Sequence, residues 1–178
     1  VSALTAGRVE KIAVRPGATV DAGTVLLELS NPDVQLEALE AERQLAAAEA
    51  EAASLRTSLT SGKLQQEAEL ATVQADAANL TRTAAVIKAL DEKGLSSTNE
   101  AAQARDQAAA AQARLKANTE RLRIASASVR EQLEMQNRQV ERMRAIAKFQ
   151  RERVASMKVI AGAPGVLQDL PLELGQWV

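Results

Sequence analysis

With 178 residues and a net charge of −1, the chain has room for one or two ordinary domains, and its basic residues are interleaved with acidic ones, which argues against a nucleic-acid partner. Hydrophobic residues make up 46% but aromatics only 1%, namely Phe149 and Trp177, so a rounded core would lack its usual large side chains. There is no cysteine and no histidine, which removes a disulfide framework, thiolate metal sites, and the commonest general base and zinc ligand. In chain order, residues 1–29 hold Gly7, Pro16, Gly17 and Gly23 between short runs of Val, Ile and Leu, a pattern of strands and turns. From Pro32 to Pro164 there is no intervening proline, and Ala, Leu, Glu, Gln, Lys and Arg dominate, which predicts long helices. Residues 159–178 return to the strand-and-turn pattern of the first flank.

The helical stretch breaks once. Gly94 suits the left-handed residue just past a helix C-terminus, and Ser97 followed by Glu100 is a capping box for a new helix. Arms over about 33–93 and 97–157, with a tip over about 93–97, would each be ~90 Å long at ~1.5 Å per residue. Matched arms around a short turn predict an antiparallel hairpin. The seam agrees: Leu115, Thr119, Leu122, Ser126, Val129, Leu133, Gln136, Val140, Met143, Ala147, Gln150, Val154 and Met157 alternate by four and three, and nine of the thirteen are apolar. On the first arm, Leu45, Ala48, Ala52, Leu55 and Leu59 keep that rhythm, and Leu70, Val73, Ala77, Leu80, Ala84 and Ile87 resume it. The eleven-residue step from Leu59 to Leu70 inserts four residues relative to heptads and should locally unwind the supercoil. Met135, Met143 and Met157 read as packing residues, not as a soft-metal site.

The flanks match one another. Gly7 to Val20 lies over Gly165 to Val178 without a gap; both read Gly, any, aliphatic, polar, polar, aliphatic, any, aliphatic, charged, any, Gly, any, any, Val. Neither flank is large enough to bury a core alone, whereas two similar halves could do so together. The expected organisation is therefore a first β-half over 1–31, a helical hairpin over 32–158 and a second β-half over 159–178.

The run from Gly7 through Leu29 closely resembles a biotinyl/lipoyl half-motif. With its continuation Ser30-Asn31-Pro32-Asp33-Val34 and the return through Ala161-Gly162-Ala163-Pro164-Gly165, the whole chain resembles the HlyD-type membrane fusion proteins, or periplasmic adaptors. The resemblance implies a mainly α fold with a small β part, a long coiled-coil hairpin inserted between two halves of a lipoyl-like β-domain. It further implies a non-enzymatic subunit of the periplasm that bridges an inner-membrane transporter and a TolC-type outer-membrane channel in tripartite efflux, assembled as a ring and often as a hexamer. An adaptor of type I protein secretion is the alternative within the family; a lipoyl or biotinyl carrier and a purely structural coiled coil are alternatives outside it. Carriers of that class hold their cofactor on a lysine between the two halves, where this chain has Ser30-Asn31-Pro32, so no cofactor is expected. The family's barrel domains and inner-membrane anchor have no counterpart here, and no apolar run approaches the roughly 18–20 residues that span a membrane. A fragment of a longer protein is expected.

Many adaptors of this family carry at the tip an arginine, a leucine four residues later and a serine seven after that, facing the channel. Ser97 and Leu90 match the last two; Val86 stands at the arginine position, and Arg82 is the nearest arginine upstream. The resemblance thus implies partner contacts at Arg82, Leu90 and Ser97, and Lys93 and Gly94 join them as candidates because they lie at the apex of any such hairpin. Ser97 has an equal claim as a helix cap, Leu90 as a seam residue and Gly94 as a turn former. No catalytic pair, metal set or phosphate loop is legible.

Overall fold

The computed structural model describes residues 5–178, so the first four residues of the first β-half lie outside the described residues. The elements run β1 (Arg8–Ile12), β2 (Thr19–Val20), β3 (Val25–Ser30), α1 (Pro32–Asp91), α2 (Thr98–Ala155), β4 (Lys158–Ile160) and β5 (Gly165–Val166). The chain is thus mainly α with a few small strands. It divides into two compact units: Val1–Glu51 with Asn137–Val178, and Ala52–Gln136. Both helices contribute to both units.

In the β-bearing unit, β3 lies between β1 and β4 in an antiparallel sheet, with register shifts between Val9 and Lys11 and between Val25 and Leu27. Strand alternation sends neighbouring side chains to opposite faces. Leu27 and Leu29 accordingly join Val9, Val34, Met157 and Val159 in one buried cluster, whereas Leu26 joins Val20 and Ala161 in a second. Covering both faces of β3 compensates for the shortage of aromatics. Helix α1 starts where Asn31 accepts hydrogen bonds from the Asp33 and Val34 amides (3.1 and 3.4 Å), with Pro32 in the first helical position that suits proline. The other end of the Asn31 amide donates to the Ala6 carbonyl (2.9 Å), tying the cap to the first flank.

The flanks pair reciprocally. Thr19 and Val20 pair with Val166 and Gly165, while Arg8 bridges Trp177 and Gly7 exchanges both backbone bonds with Val178. Gly17 donates to the Leu167 carbonyl (2.7 Å), and at the matching positions of the repeat Gly175 donates to the Val9 carbonyl (2.8 Å). Both glycines adopt positive φ, 90° and 86°, a region open to glycine at little cost. The repeat therefore has a structural counterpart, with one difference. Beyond Val166 the pairing of the second flank continues through Leu167, which donates to the Ala18 carbonyl (3.0 Å), and residues 168–173 then follow without regular structure where the first flank continues as β1. Arg8–Ile12 runs along β3, whereas in the equivalent stretch of the second flank Val166 and Leu167 pair with residues 17–19.

In the turn-bearing unit, α1 and α2 pack antiparallel through small residues. Val73 and Ala77 of α1 and Ala104 and Ala108 of α2 are buried, and Gln112 donates to Thr81 Oγ1 across the interface (3.0 Å). One expected seam position shifts: Asn118 is partly buried and Thr119 is exposed, with the Thr119 hydroxyl turned back to the Leu115 carbonyl (2.9 Å). Steps of three or four residues both fall near one 3.6-residue turn, so the facing helix decides which is used. At the Leu59–Leu70 step, residues 60–66 are exposed throughout.

Candidate partner-binding site at the hairpin tip

Helix α1 ends in a two-bond glycine cap. Gly94, at φ 71°, donates to the Asp91 carbonyl (2.8 Å), and Leu95 donates to the Leu90 carbonyl (2.9 Å). This pair of bonds satisfies carbonyls that the last helical turn leaves without partners. Helix α2 then opens with Ser97 Oγ accepting from the Glu100 amide (3.2 Å). The second half of the expected capping box is replaced: the Glu100 carboxylate accepts from the Ser96 hydroxyl (3.1 Å). Ser96 competes with the Ser97 amide for that carboxylate and precedes it by one position, which sequence spacing alone did not resolve.

The five candidate contacts thus fall into two sets. Gly94 and Ser97 build the turn. Arg82, Leu90 and Lys93 present exposed side chains around it. Arg82, Val86 and Leu90 are spaced by four and share one stripe of α1. Val86 is 60% exposed and Leu95 72%, and neither was singled out beforehand as a contact. The residue after a glycine cap is commonly apolar and packs back on the helix end, so position 95 was findable from the Gly94 signal; here it stays open to solvent. Exposed side chains near the turn thus include the apolar Val86, Leu90 and Leu95, with Arg82 on the same stripe of α1 as the first two and Lys93 in the turn, whereas Lys88, 3.8 Å from Glu92, lies on the opposite side of the helix. Such apolar side chains can bury aliphatic area against a partner with a polar rim. Among the described residues, no group of three or more acidic, cysteine or histidine side chains could hold a metal, and no helix is long and apolar enough to cross a membrane.

Comparison with known proteins adds to this geometry. No family model and no curated protein matches the sequence. Among solved structures, the soluble domain of LipC, a membrane fusion protein of a type I secretion system, is 17% identical and aligns over 100% of this chain and 94% of its own, with a TM-score of 0.51. The periplasmic adaptor protein EmrA is 14% identical over 98% of this chain (TM-score 0.49), and the chain spans 66% of the EmrA structure. MacA from Actinobacillus actinomycetemcomitans is 16% identical over 99% of this chain and 43% of its own (TM-score 0.36). Its structural neighbours are membrane fusion and periplasmic adaptor proteins, and the chain has the membrane fusion protein fold.

Proposed function

We propose that the chain is part of an HlyD-type periplasmic adaptor that bridges an inner-membrane transporter and an outer-membrane channel in tripartite efflux. The observation that carries the adaptor part of this reading is the likeness to the LipC soluble domain over the full length of the chain. On this reading residues 1–31 and 159–178 are two halves of a lipoyl-like β-domain, and residues 32–158 are the inserted hairpin. The reciprocal backbone bonds between the flanks support two equivalent halves. The junction residue Asn31 is committed to capping α1, which supports a spacer in place of a cofactor carrier. The protein acts without catalysis and without a bound cofactor. Its helices set the length of the bridge, the tip docks on a TolC-type channel, and copies assemble head to tail into a ring, where many weak contacts accumulate. The site of action is the periplasm. A second reading, an adaptor of type I protein secretion, is favoured by the description of LipC itself.

Site-directed photo-cross-linking in cells carrying the full-length protein tests the bridge. The reactive residue goes at Leu90 and Lys93, which leave the turn's hydrogen-bonding side chains intact, and at Arg121 as a control on α2. Capture of an outer-membrane channel at both tip positions and not at Arg121 is expected. Capture of other copies alone, or of nothing, would remove the bridging role and leave a structural coiled coil.

A further inference from the structure

We propose that residues 60–66 of α1, with the facing stretch around 126–133 of α2, form a compliant joint at which the two helices separate while the seam to either side stays closed. Continuing the seam from Leu59 to Leu70 by steps of three, four and four places Gly62 and Gln66 at the interface: one residue with no side chain and one amide. Both are exposed, as is every residue from 60 to 66. The facing helix offers little in return, since Ser126, Val129 and Leu133 are only partly buried. Among the described residues, α1 buries no hydrophobic side chain between Ala48 and Val73, and α2 none between Ala108 and Val140. Association of two helices depends on the apolar area they bury together, so the interface is weakest at this level.

The helix itself persists through the joint. Residues 60–66 remain helical, and Lys63 pairs with Glu67 one turn on (3.3 Å), although glycine at 62 is the poorest helix former after proline. The stretch thus loses contact between helices without losing the hydrogen bonds within them. That combination lets the arms part or flex locally without melting. The joint is independent of what the tip binds.

Hydrogen exchange read by mass spectrometry on the whole chain tests it. Amides of 58–68 and 125–135 should exchange at least ~10-fold faster than those of 73–84 and 101–111, because local opening sets exchange in such segments. Filling the interface with Gly62→Leu and Gln66→Leu together should slow both segments by a similar factor, whereas Leu64→Ala, on the opposite face, should not slow them. Equal exchange in the joint and its flanks overturns the proposal. So does a slowing reproduced in full by Gly62→Ala alone, which would assign the effect to helix propensity and not to the missing contact.

Discussion

In the β-bearing unit the two helices are laced by charge: Arg144 reaches Glu49 (2.7 Å), Arg151 reaches Glu42 (3.4 Å), and Arg153 pairs with Glu37. Their interface also includes Val34, Met157 and Val154, which belong to or pack against the same apolar cluster as the sheet. Helix alanines are buried in both units, Ala38, Ala41, Ala48 and Ala147 in this one and Ala77, Ala104 and Ala108 in the turn-bearing one. The β-bearing unit thus adds cross-helix ion pairs and a sheet-backed apolar cluster to a small-residue packing that both units share. Where a sheet supplies a core, long side chains can be spent on solvent-facing ion pairs. Where the helices have only each other, small residues are what permit a close approach, and each buries little area. The difference teaches that the helical part has no single stability along its length.

Breaking the core of the first unit should have the largest effect. Leu27 is 3% exposed at the centre of the sheet, and Leu27→Ala should cost about 2–5 kcal/mol by loss of transfer energy and formation of a cavity. Chemical denaturation would measure it. Limited proteolysis should show cutting in the flanks before residues 70–110, which share none of that core. A smaller effect is expected in the second unit. Ala77→Leu should overpack the seam at a cost of about 1–3 kcal/mol. Its consequence should be confined to exchange rates near 73–84 and 101–111, and an equal loss of protection in the sheet would contradict the division into two units.

The smallest effect sharpens the comparison. The Arg144 guanidinium is held charged by its hydrogen bond to Glu49 and by the nearby Glu141 carboxylate, but it is exposed, so solvent and salt screen the gain. Arg144→Ala should lower the unfolding midpoint least of the three. The shift should shrink further at high salt; a salt-independent loss would mean that the arginine stem contributes by packing instead.

Much of this was determined by sequence alone. Proline-free, alanine-rich arms, the Gly94 stop and the Ser97 start are local signals, because helix propensity and capping act within a few residues. The resemblance of the flanks to each other was also legible, since glycines and aliphatic residues recur at fixed spacing. What the tertiary structure decided was which of several locally equivalent options was used. Asn118 and not Thr119 faces the other helix, Ser96 takes the Glu100 carboxylate, and Val86 and Leu95 stay exposed beside Leu90. The second flank keeps the equivalent pairing through Leu167 and departs only after it, because a strand needs a neighbour's backbone as well as its own pattern: Arg8–Ile12 runs along β3, and residues 168–173 form no regular strand.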